Sequence, residues 1–141
     1  MERANDSEER RLRRERIVWR LYNEGWLPGE FDLVFDLLDA EIVWTAIEEA
    51  PDAGTYRGYD GVRAYMQDWL DDFDFEWWRL EESIEVGDRL VCLQRARGTG
   101  KGSGVTSDIS YACVYSFGEA ERIVELNEYA TWDEALAATK R

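Results

Sequence analysis

A chain of 141 residues, 45% hydrophobic and 13% aromatic with seven tryptophans, has the length of one domain and the content of a folded core. Its net charge of −14 and pI near 4.4 exclude nucleic acid and anionic membrane as partners, and no apolar run is long enough to span a bilayer. Histidine is absent, which removes Ser-His-Asp and Cys-His catalysis and every histidine-containing metal site.

Taken in chain order, residues 1–11 read as a polar N-terminal arm or helix start and residues 12–141 as one domain. MERANDSEERR lacks the apolar segment of a signal peptide, and two cysteines make no disulfide framework, so a cytoplasmic protein is expected. Asp6 or Ser7 caps a helix that runs to about Asn23, with Gly25 as its stop. Its later turns (Ile17, Val18, Trp19, Leu21, Tyr22) are apolar nearly all round, as in a helix buried between layers. Pro28 opens a second helix with the stripe Phe31, Val34, Phe35 and Leu38. A strand over Ala40–Ile47 precedes a loop punctuated by Pro51 and Gly54. Asp60 caps a third helix with the stripe Val62, Tyr65, Met66, Trp69 and Phe73.

From Phe75 to Val86 a long strand puts Trp78, Leu80, Ile84 and Val86 on one face. A meander of three strands follows, RLVCLQRARG, SDISYACVYSF and IVELNEYA, and a short helix after Thr131 closes the chain. Helices first and an antiparallel sheet after them predict an α+β layer architecture. In the meander, Val91, Leu93, Arg95 and Arg97 share a face, as do Val124, Leu126, Glu128 and Ala130. If these rows face inward, Glu128 sits in a cavity beside Arg95 and Arg97, held ionised as a base or an acceptor. The same set also fits a structural ion pair between strands. Trp44, Tyr65, Trp69 and Tyr111 are candidate pocket walls.

Other motifs fall short. GTGKGSG joins two strands and has glycine after its lysine, so it is a flexible hairpin and not a phosphate loop. The acidic run Asp68, Asp71, Asp72, Asp74 and Glu76 lacks the glycine and spacing of a calcium loop, and no metal or other cofactor is expected.

The stretches LYNEGWLPGEFDLVFDLLDAEIVW, YRGYDGVRAYMQDWL, VGDRLVCLQRARGTGKGSGV and ERIVELNEYATWDEAL, in this order, resemble the SnoaL-like branch of the nuclear transport factor 2-like superfamily over about residues 12–139. The resemblance implies a cone-shaped barrel, a curved antiparallel sheet wrapped around a long N-terminal helix with one deep apolar pocket. It also implies a homodimer through the outer face of the sheet. Known members include polyketide cyclases, ketosteroid isomerases, limonene-epoxide hydrolase-like enzymes and binding modules. The isomerases' catalytic aspartate falls at Val43-Trp44-Thr45, their helix tyrosine near Val18 with Tyr22 a turn on, and their protonated aspartate near Tyr111 or Ala112. The epoxide hydrolases' arginine matches Arg95 and their last-strand acid Glu128, but their second acid falls at Arg97. The cyclases' late-strand carboxylate is again nearest Glu128.

The reading that follows is a small-molecule enzyme of cyclase or isomerase type acting on a polyketide- or terpenoid-like substrate. Glu128 is its base, Arg95 orients that base, and Arg97 or Tyr111 steadies an oxyanion. Tyr22, Trp44, Tyr65, Trp69, Leu93 and Leu126 form its pocket. A non-catalytic binding or dimerisation module is the alternative, with epoxide hydrolysis a further one.

Overall fold

A computed structural model describes residues 2–47 and 54–140. Helix α1 (Glu2–Arg20) continues without a break into a π-helical segment, Leu21–Trp26. After a turn come α2 (Phe31–Leu37) and β1 (Leu38–Thr45), then β2 (Thr55–Arg57) and α3 (Gly58–Asp72). Strands β3 (Phe73–Val86), β4 (Arg89–Gly100), β5 (Thr106–Phe117) and β6 (Ile123–Tyr129) lead to α4 (Trp132–Ala138). The fold is α+β. Its six strands form one open, curved sheet in the order β2-β1-β6-β5-β4-β3.

Several local expectations are corrected. The sheet is mixed, because β1 runs parallel to β6 while every other pair is antiparallel. Gly25 does not stop the first helix. The wide π turn carries the chain through it, with the Leu27 amide bonding the Tyr22 carbonyl at 2.9 Å. Glycine is required there because a Cβ would stand 2.7 Å from Val34 Cγ2 on α2. Asp60 lies inside α3 rather than capping it, where its charge suits the helix dipole. Residues 48–53, with Pro51, fall outside the described residues, and the end of the expected loop forms β2. The short helix expected after Thr131 is α4, and Thr131 caps it, its hydroxyl accepting from the Glu134 amide at 3.2 Å.

The main core lies between the helices and the sheet's inner face, around Val18, Leu21, Tyr22, Trp44, Tyr65, Met66, Trp78 and Leu126. A smaller core lies on the outer face, where Ala135 of α4 covers Val91, Ala112 and Val114. Two bulges in β3, at Phe75/Trp77 and Leu80/Glu82, change which side chains face inward. As a result Phe75, Trp78 and Leu80 face the core. Beyond the second bulge Ser83 and Glu85 turn toward α1, leaving Ile84 exposed on the other side. The expected common face of Trp78, Leu80, Ile84 and Val86 is therefore broken.

Candidate active site

Glu128 is held from three directions. On β6 it stands opposite Cys113 of β5, and its neighbour Leu126 pairs with Trp44 on the parallel strand β1. The Trp44 indole N–H donates to Glu128 Oε2 at 2.9 Å, and the Tyr65 hydroxyl from α3 lies 3.0 Å from both oxygens. The Ile47 amide donates to Oε1 at 3.3 Å. The indole and amide can only donate, so the arrangement suits an anionic acceptor.

The carboxylate opens onto a cavity of about 210 Å³. Aromatic rings wall it: Trp26 from the π turn, Tyr65 and Trp69 from α3, Phe75 from β3 and Tyr111 from β5. Ile47, Ala96 and Ile109 complete the lining, in which Glu128 is the charged member. The Tyr111 hydroxyl accepts from the Trp78 indole at 3.1 Å and is also hydrogen-bonded with Tyr22. Burial first, then Cys113 and Glu128, pushes the Tyr111 phenol well above its ordinary value, so it stays protonated. The Trp69 indole N–H is buried and has no partner among the described residues. The described residues contain no cluster of three metal-ligating side chains.

Of the residues singled out from the sequence, Glu128, Tyr65, Trp69 and Tyr111 line this one cavity. Trp44 is fully buried behind it and touches Glu128 through its indole. Tyr22 lies in the core beneath, stacked on Trp78 at 4.2 Å and accepting from the Tyr115 hydroxyl. Leu126 is buried core.

The structure corrects the placement of Arg95, Arg97 and Leu93, which lie on the outer face. Arg95 makes a bidentate contact with Asp108 at 2.6 and 3.0 Å, and Arg97 bonds Glu76 at 3.0 Å. The inward row of β4 is Leu90, Cys92, Gln94 and Ala96. Alternation separates the two rows but does not say which one faces in. The valine of the outer row is apolar because α4 covers it.

Trp26, Ile47, Phe75, Ala96 and Ile109 were missed as lining residues. Trp26 falls beyond the supposed helix stop, and the bulge at Phe75/Trp77 hides Phe75 from a period-two count. The Ala96 row was legible, being the second face of β4.

Residues 19–126 match the SnoaL-like domain family. Comparison with curated proteins finds no match. Among solved structures, an NTF2-like protein of unknown function from Burkholderia pseudomallei is 24% identical, with a TM-score of 0.66 over 91% of this chain and 98% of that one. A candidate SnoaL-like polyketide cyclase from Jannaschia sp. CCS1 is 18% identical, with a TM-score of 0.72 over 89% and 90%. A protein with a ketosteroid isomerase-like fold from Catenulispora acidiphila, in complex with trimethylamine, is 14% identical, with a TM-score of 0.68 over 88% and 92%.

Proposed function

Starting from a chain that belongs to the SnoaL-like branch of the nuclear transport factor 2-like superfamily, we propose a small-molecule enzyme that abstracts a proton beside a carbonyl. The observation that carries this reading is an oriented carboxylate, Glu128, in an otherwise aromatic and aliphatic cavity that Tyr111 also lines. Glu128 takes the proton, the electron pair moves onto the carbonyl oxygen, and the Tyr111 hydroxyl donates to the enolate. Return of the proton at another carbon gives an isomerase; attack of the enolate carbon on a second carbonyl, whose new alkoxide takes the proton back from Glu128, gives a cyclase. Of the two oxyanion candidates, Arg97 and Tyr111, the role falls to Tyr111, and Trp44 and Tyr65 replace Arg95 in orienting the base. A polyketide- or terpenoid-like substrate suits this lining. Two further parts of the proposal are a homodimer through the outer face and a cytoplasmic location, which the free Cys92 and Cys113 support.

The test is a panel of carbonyl substrates. Glu128→Gln is expected to lower turnover by roughly 10²–10⁴. Tyr111→Phe is expected to lower kcat by roughly 10²–10³ with little change in KM. Unchanged turnover in Glu128→Gln sinks the catalytic role. A binding module is the second reading, favoured by the three donors already bonded to Glu128, and the Catenulispora protein is one instance of this fold with a small amine.

A further inference from the structure

Five aromatic residues line the cavity from four separate segments, and the rings among them that meet one another cross rather than stack. Trp26 meets Tyr65 at 51° and Phe75 at 62°, while Trp69 meets Phe75 at 48°, with ring centres 5.9–6.4 Å apart. Crossed rings turn negative π faces and ring edges toward one volume from several sides. At about 210 Å³, that volume is small enough to keep a central cation within the roughly 6 Å of a ring centre that cation–π attraction needs.

The lining's charge is of the sign that adds to this field. Glu128 brings a carboxylate whose two oxygens accept from Trp44, Tyr65 and the Ile47 amide. With those lone pairs engaged, the carboxylate offers a ligand its charge more than its hydrogen-bonding capacity. A primary ammonium needs several acceptors when it leaves water, and this lining has few. A carboxylate or phosphate ligand would be repelled by Glu128. A methylated ammonium carries positive charge on an apolar surface and has few or no N–H groups to satisfy. The net charge of −14 also raises the local concentration of cations at the mouth.

We infer that the cavity binds a ligand bearing a methylated ammonium head, held by cation–π contacts with Trp26, Trp69, Phe75 and Tyr111 and by the charge of Glu128. This shares the cavity with the proposed reaction but does not rest on proton transfer, since binding uses only the charge that Glu128 carries before any proton moves.

Isothermal titration calorimetry with choline, against its neutral isostere 3,3-dimethylbutan-1-ol, tests the inference on the full chain. Choline is expected to bind at least about ten-fold more tightly than the alcohol. Trp69→Leu keeps an apolar wall but removes the π face, so it should weaken choline several-fold and the alcohol distinctly less. Glu128→Gln, checked for a native far-ultraviolet spectrum, should weaken choline alone. Equal affinity for the two ligands, or no choline binding in the millimolar range, overturns the inference. Choline binding without turnover of any carbonyl would uphold it while removing the enzyme reading, so the two failures can be told apart.

Discussion

Glu128 shows how a single residue can be found from sequence and yet be given the wrong neighbours. A charge in an apolar row of a strand signals a cavity or a pair, and here it lines a cavity. Its partners were harder to read, because Trp44 reaches it from a parallel strand 84 positions away and Tyr65 from a helix. Neither spacing nor alternation encodes such contacts. Arg95 and Arg97, the nearer choice by chemistry, are engaged with Asp108 and Glu76 on the far side of the sheet. The indole of Trp44 therefore holds the base in place of a guanidinium. Trp44→Phe keeps an aromatic ring but removes the donor and leaves a carboxylate oxygen short of a partner. Denaturant unfolding should show a loss of about 1–3 kcal/mol, and turnover should fall with it. An unchanged midpoint would mean that the indole N–H does not matter to the site.

At the scale of elements, the types and order of the long segments were legible because their periodicities are strong. The irregularities that shape the cavity were not. Two extra residues in β3 redirect Phe75 and Glu85, and no residue at those positions marks a bulge in advance. The π segment is a similar case. Gly25 suggests a helix stop, whereas its actual role is to let α2 approach, and the extra residue per turn delivers Trp26 to the cavity. This makes a prediction against helix propensity. Alanine is the better helix former by roughly 1 kcal/mol, yet its Cβ at Gly25 would meet Val34 Cγ2 at 2.7 Å and Leu33 Cδ2 at 3.3 Å. Gly25→Ala should therefore destabilise the protein by about 1–3 kcal/mol through overpacking. In a double-mutant cycle, Val34→Ala should recover part of that loss, since it removes the clashing methyl. Independent, additive effects of the two substitutions would refute the close approach as the reason for glycine.

For the molecule as a whole, the question is what ties the polar half of α1 to the sheet, since that half has few apolar residues to bury. Arg14 supplies the answer. It is only 3% exposed, and its guanidinium reaches Glu85 on β3 at 2.9 Å and Glu121, in the turn before β6, at 2.8 and 3.1 Å. Arg10 adds a bidentate contact to Glu85 at 2.8 and 3.1 Å. The hydrogen bond from Arg10 holds the Glu85 carboxyl below its ordinary value of 4.5, and that from Arg14 does the same for Glu121. The folded protein thus binds these two protons more weakly than the unfolded chain does. Their stabilising contribution is present above the unfolded value, near pH 4.5, and is lost as pH falls through the lower folded values. Acid also relieves the repulsion behind a net charge of −14, so the stability of the wild type alone mixes two opposing trends. The difference between wild type and Glu85→Gln isolates the first. The variant should unfold at a lower temperature at neutral pH, and the gap should close progressively below about pH 4.5. A gap that stays constant into acid would mean that Glu85 acts through packing alone and that its charge does not anchor the helix.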